Sequence, residues 1–204
     1  MTHLLSLLDF ARLILDAIEA TASEYMLGGA LAVMAYAEAR ATQDVDVVVN
    51  LPVERIQDFS GELKKRQVLI PPELMLERFI QPQGDTPLSG VHLYSGQRAD
   101  IFLLQEGDPL RVSALARKRL IDLGNPLGQV NVHAPEDLIL YKLRYFAISE
   151  QDKHIRDIAA LLYGQHGKLD EAYLNAWTVS LGLEKYWQQI QTEVSRRWES
   201  LIKP

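Results

Sequence analysis

Asp44 and Asp46, in the segment "TQDVDVVVNLP", constrain this chain more than any other pair of residues. Val45, Val47, Val48 and Val49 read as a β-strand that Asn50 and Pro52 close. Residues two apart in a strand face the same way, with backbones roughly 6.5–7 Å apart. The two carboxylates therefore stand side by side on a strand otherwise made for a core. Placing a carboxylate there is costly unless something compensates its charge. Magnesium is one compensator, since it takes hard oxygen ligands and is commonly held by one or two carboxylates plus substrate phosphates. A pair of aspartates at the solvent end of a strand satisfies the same pattern without a metal, so other residues have to decide.

Two features bear on that decision. Tyr25, Met26 and Leu27 read as a short strand that meets Gly28-Gly29, after which Ala30 to Glu38 is rich in helix formers. Glycines between a strand and a helix let a phosphate approach the backbone, and the helix N-terminus offers N–H donors to an anion. A tight turn would need the same glycines. Asp100 lies in "RADIFLL", a second half-buried strand. If that strand neighbours the valine strand, a third carboxylate reaches the same point; if not, Asp100 is a surface residue beside Arg98. Three converging carboxylates without a cation would push at least one pKa upward.

Around these residues the chain alternates helix and strand for about the first 133 residues and is helical thereafter. Residues 4–18 place apolar side chains at spacings of three and four, as an amphipathic helix does. Residues 52–66 repeat that pattern behind Pro52. Turn residues crowd positions 81–90, ahead of a hairpin formed by "VHLY", a "SGQ" turn and Arg98 to Leu104. "SALARKRLIDLG" reads as a helix ending near Gly124, and "QVNVH" as a last short strand. The helical remainder breaks at Ser149, at "GQHGK" and near Gly182, and no internal repeat is visible.

Composition excludes several classes. A net charge of −6 and a pI near 5.4 disfavour the broad positive surface of non-specific nucleic-acid binding, leaving room only for a local contact. With no cysteine there are no disulfides, thiolate zinc sites or cysteine nucleophiles. No apolar run reaches the ~18 residues of a membrane span, and the opening twenty residues carry Asp9, Arg12, Asp16 and Glu19. The expectation is a soluble, unexported, cytoplasmic protein with no membrane partner.

In combination, "LGGALAVMAYAEARATQDVDVVV" and "RADIF" resemble the DNA polymerase beta-type nucleotidyltransferase superfamily, in particular its small bacterial members: minimal nucleotidyltransferases and abortive-infection toxins. Their pattern is a hydrophobic residue before Gly-Gly or Gly-Ser, a helix, Asp-x-Asp on one strand and a third Asp on a neighbouring strand. Gly28, Gly29, Asp44, Asp46 and Asp100 fill those positions. Arg40 and Thr42 match an Arg-x-Thr ahead of the pair. "APEDLILYKL" with Lys142 and "HIRDIAALL" with Asp157 match two later helices. The chain departs from the pattern where Gly29 replaces a serine and where His154 stands in place of a usual aspartate.

The resemblance implies an α/β (α+β) nucleotidyltransferase fold: a mixed twisted sheet flanked by helices over residues 1–133, with a helical part, 134–204, packed on it and closing one side of a nucleotide cleft. It implies transfer of a nucleoside monophosphate from a nucleoside triphosphate to an RNA end, a protein hydroxyl or a small molecule. Two Mg2+ ions, or Mn2+ in their place, would be held by Asp44, Asp46 and Asp100, with Gly28, Gly29, Arg40, Thr42 and Lys142 at the nucleotide. The competing reading is a non-catalytic nucleotide- or partner-binding protein of the same fold, such as the antitoxin-like half of a pair.

Some residues carry a plainer expectation. Lys142 either reaches the nucleotide or runs its stem along an apolar face, and Asp157 reads as an ion-pair partner for Lys142 or Arg40. Arg40 contacts a phosphate or braces the aspartate strand, and Thr42 reads as a strand-entry hydrogen-bonding residue. "RVSALARKR" reads as a solvated helix face before it reads as an RNA contact. His92 and His133 read as structural. Trp187, Ile190, Val194, Trp198 and Leu201 form a helical stripe that belongs to the core or to a homodimer or cognate-partner surface.

Overall fold

The computed structural model describes residues 5–38, 41–81 and 85–202, with side chains described as far as residue 196. Among them, those up to Ala35 and from Ala41 to His133 form one compact unit. Tyr36, Ala37, Glu38 and those from Ala134 onward form a second.

The first unit opens with α1 (Leu7–Glu19), where the Ser6 hydroxyl accepts from the Asp9 N–H as an N-cap. Its buried stripe is Phe10, Ala11, Ile14, Leu15, Ala17 and Ile18, while Arg12 joins Asp16 and Glu19 along the polar side. Then follow β1 (Glu24–Leu27), α2 (Gly29–Val33), β2 (Asp44–Asn50), a 3-10 turn (Val53–Arg55), α3 (Ile56–Lys65), β3 (Val68–Leu69) and α4 (Pro72–Ile80). The unit continues with β4 (Leu88–His92), β5 (Arg98–Leu103), α5 (Pro109–Ala116), β6 (Arg119–Asp122) and β7 (Gln129–Val132). The seven strands form one mixed sheet in the order β3-β4-β5-β2-β1-β7-β6. β2 runs parallel to β5 and β1 parallel to β7, and the other neighbours are antiparallel.

β2 lies at the centre, and its two faces differ. Val45, Val47 and Val49, with Ala99, Ile101 and Leu103 opposite them, are all buried, and α1 packs on β1 and β2. Asp44, Asp46, Arg98 and Asp100 project from the other face, because paired residues share a face and alternate residues return to it.

Three sequence-based expectations change. The helix expected to run to Gly124 stops at Ala116, and Arg119–Asp122 pairs with β7 as an edge strand. Ladder hydrogen bonds to a strand ten residues later outweigh a helix preference of only tenths of a kcal/mol per residue. The helix expected over Ala30 to Glu38 is only Gly29–Val33, since Tyr36 is recruited to the second unit, where its carbonyl accepts from Gln165 Nε2 at 2.9 Å. The first strand of the hairpin is Leu88–His92 rather than residues 91–94, which leaves Leu93 and Tyr94 in the turn. α4 was not legible in the sequence at all.

In the second unit α6 (Pro135–Ser149) contacts α7 (Asp152–Gly164), α8 (Glu171–Ser180) and α9 (Glu184–Ile202). Glu150 in the left-handed region ends α6. Gly164 is required where it stands, since a Cβ there would strike the Tyr36 carbonyl. Trp187, Ile190 and Val194 are buried, whereas the side chains of Trp198 and Leu201 lie outside the described residues. No helix among the described residues is long and apolar enough to cross a membrane.

Candidate active site at the start of two parallel strands

The parallel register of β2 on β5 sets Asp46 directly beside Asp100 and Asp44 beside Arg98. On the far side of β5, antiparallel β4 sets Ser89 beside Asp100, and the Ser89 hydroxyl donates to Asp100 Oδ1 at 2.6 Å. Three carboxylates and a hydroxyl thus share one face where β2 and β5 begin.

The glycine bend borders this cluster. Gly28 continues β1 and donates its N–H to the Asp46 carbonyl at 2.8 Å. Gly29 has φ +59°, and a Cβ at that position would run into the Asp46 carboxylate. Only glycine brings the backbone this close to Asp46. The expectation for the bend changes in two respects: the Gly28 N–H is committed to the sheet, and α2 has only five residues, too few for a strong helix dipole. What the bend offers is close backbone approach at Gly29. His133 lies under it, its Nδ1 at 3.0 Å from the Leu27 carbonyl and its ring 3.4 Å from where a Gly28 Cβ would be. A carbonyl only accepts, so Nδ1 carries the hydrogen.

Arg98 governs the electrostatics. Its Nη2 stands 3.0 Å from Asp44 Oδ2 and 3.4 Å from Asp100 Oδ2. The charges of Asp100 and Asp44, the Asp44 hydrogen bond and, last, the charge of Asp46 hold its pKa above the ordinary guanidinium value. The expectation that the three carboxylates converge therefore holds for their backbones, while the side chains of Asp44 and Asp100 turn to Arg98. Among the described residues no three acidic or imidazole groups stand close enough to ligate one ion. The donor set is nevertheless hard oxygen on one half-exposed face, and register has already aligned the strands. Hard carboxylate oxygens are the kind of donor a divalent cation takes.

Other expected site residues lie elsewhere or contribute little. The Thr42 hydroxyl is 3.5 Å from both the N and the O of Asp44, at the outer limit of a hydrogen bond. Arg40 lies outside the described residues. In the second unit Lys142 Nζ meets Asp157 Oδ2 at 2.8 Å, both side chains at 10% exposure or less. Arg111, from the basic run, is buried between Asp85 and Asp108 with its guanidinium 5.1 Å above the Phe102 ring, and Lys118 pairs with Glu24. Of that run, Arg111 is buried and Arg119 exposed, with Arg117 and Lys118 half-buried, so it does not form one solvated face. His92 is 2.9 Å from the Ser95 hydroxyl. Ser89 went unnoticed in the sequence because placing the hairpin strand at residues 91–94 left it in a loop. The alternation of Leu88, Gly90 and His92 inward against Ser89 and Val91 outward was the signal that could have found it.

No family model and no curated protein sequence matches the chain. Solved structures do. The chain resembles the solution structure of the antibiotic-resistance factor ANT(2'')-Ia at 13% identity and a TM-score of 0.60, over 89% of this chain and 96% of that one. It resembles the crystal structure of ANT(2'')-Ia in complex with adenylyl-2''-tobramycin at 15% identity and 0.50, over 94% and 98%. An antigenic nucleotidyltransferase-like protein from Paracoccidioides brasiliensis aligns at 16% identity and 0.53, over 89% and 92%. The mixed sheet and its helices are thus a nucleotidyltransferase fold.

Proposed function

We propose that the protein transfers a nucleoside monophosphate from a nucleoside triphosphate to a hydroxyl of a small molecule. The observation that carries the reading is the register of β2 on β5, which sets Asp46 beside Asp100 with Asp44 on the same face, against the Gly29 bend. The acceptor class follows from two supports. The likeness to ANT(2'')-Ia spans both chains nearly end to end, and that protein was solved with an adenylylated aminoglycoside. The net charge of −6 disfavours an RNA acceptor.

Asp44, Asp46 and Asp100 would hold Mg2+ or Mn2+, which when bound neutralises phosphate charge and acidifies the attacking hydroxyl. The chain's own groups do the rest. Gly29, having no Cβ, lets the Asp46 carboxylate lie against the backbone of the bend, where the phosphates would meet it. Ser89 fixes Asp100 through Oδ1, and Oδ2, 3.4 Å from Arg98 Nη2, would take the proton of the acceptor hydroxyl once Arg98 turns away. The acceptor oxygen bonds to the α-phosphorus as the bond to the bridging oxygen breaks, and pyrophosphate departs with that electron pair. Such transfer depends mainly on positioning and charge.

The test has two parts. MgATP at a hundredfold excess over its dissociation constant should stabilise the protein by ~2.7 kcal/mol. Asp46→Ala should lose that shift while the metal-free protein stays as stable as before, since a like charge has been removed. Labelled nucleoside triphosphates with a panel of polyhydroxylated small molecules should then label one of them. A thermal shift unchanged in Asp46→Ala overturns the metal site. Label appearing only in RNA or protein overturns the acceptor, and binding without any transfer returns the protein to the non-catalytic reading.

A further inference from the structure

Arg98 is the charged residue at the site to which the proposed reaction gives no task, and its setting differs from that of the structural arginine nearby. Arg111 is 3% exposed, held between two aspartates over a phenyl ring. Arg98 is 47% exposed, and it reaches across the strand register to oxygens of two of the three carboxylates expected to hold metal. The Arg98–Asp44 pair, exposed on both sides, is of a kind that holds weakly.

The same oxygens cannot serve both cations at full strength. A metal ion arriving alone must expel Arg98 and gives it nothing in return. A metal ion arriving on a triphosphate brings phosphate oxygens to the same face, and guanidinium binds those in a fork. Resting on the metal-dependent reading above, we infer that Arg98 is an exchangeable internal counter-ion: it occupies Asp44 and Asp100 in the metal-free protein and passes to the nucleotide's phosphates when the metal–nucleotide complex enters. The site therefore resists bare metal and accepts metal with its substrate.

Opposite changes in two affinities test this. Mn2+ alone, and then Mn2+ bound to a non-hydrolysable ATP analogue, are titrated into the native protein, Arg98→Gln, Arg98→Lys and Lys118→Gln, with binding read by electron paramagnetic resonance and calorimetry. Arg98→Gln should bind bare Mn2+ tighter, and the Mn2+–nucleotide complex weaker, each on the order of fivefold for loss of a pair of exposed ion pairs. Arg98→Lys, which keeps the charge and the strand, should fall between. Lys118→Gln makes the same charge change at Glu24, about 20 Å away along β2 at ~3.3 Å per residue, and should match the native protein. If Arg98→Gln binds bare Mn2+ no tighter, or Lys118→Gln follows it, the exchange is overturned while the metal site stands. If the native protein and every variant ignore Mn2+ in both forms, the metal-dependent reading falls with it.

Discussion

At the start of β2 and β5 Asp44 and Asp100 share the half-exposed guanidinium of Arg98, whereas in the helical unit Lys142 and Asp157 meet one to one at 2.8 Å with little access to water. Two other buried carboxylates of the helical unit are also tied down: Asp137 accepts from the Tyr173 hydroxyl at 2.6 Å, and Glu136 from the Asp170 N–H at 3.1 Å. Charge that is matched and buried there fixes one arrangement, because separating such a pair leaves an ion stranded in low dielectric. Charge that is shared and partly wet at the strand ends can be exchanged. That contrast separates a structural ion pair from a candidate site without reference to residue type, since both regions use aspartates.

The largest expected effect tests the buried side of the contrast. Lys142→Ala should cost about 3–5 kcal/mol of stability in urea unfolding by leaving Asp157 uncompensated, and Lys142→Met with Asp157→Leu should recover most of it. A Lys142→Ala protein of native stability that no longer binds nucleotide would break the contrast and place the lysine at the substrate. Next, Gly29→Ala forces a side chain into the left-handed region and against Asp46. It should cost about 1–3 kcal/mol. Nucleotidyl transfer should fall on the order of a hundredfold through displacement of that carboxylate. Retained transfer would show that Asp46 needs no close backbone.

The smallest effect lies at the exposed end of β1. The Lys118 hydrogen bond, then the Lys118 charge and the Asn50 amide, lower the Glu24 pKa below 4.5. Because the folded pKa is depressed, the pair stabilises the protein fully above about pH 4.5 and ceases to do so as pH falls through the lower folded value. Glu24 is 58% exposed, so Glu24→Gln should cost only ~0.3 kcal/mol at pH 7, and that cost should shrink as the pH is lowered below 4.5. A cost above ~1 kcal/mol would show that wet pairs on this sheet are stronger than the comparison holds.

Much of the site was legible because alternation in a strand is local. Asp44 and Asp46 had to share a face, and Gly28-Gly29 had to mark a bend, whatever surrounded them. Asp100 was legible only as a condition, since whether its strand lies beside β2 depends on the crossover through α3, β3, α4 and β4. Ser89 was hidden by a hairpin displaced by three residues. The basic run misled because Arg111 finds its partners, Asp85 and Phe102, outside its own helix. The β6 strand was read as helix because its ladder partner lies beyond the window in which propensity operates.

The sequence by itself determined which residues carry charge, which strands alternate and where the chain must bend, because each of these is set by neighbours within a few positions. Only the tertiary structure decided that Asp100 stands beside Asp46, that Arg98 pairs with Asp44, and that Lys142 pairs with Asp157. The pairing of strands 54 residues apart has no local signature. It is fixed when the sheet closes over its valine face, and a one-residue slip would have turned every carboxylate of the site into the core.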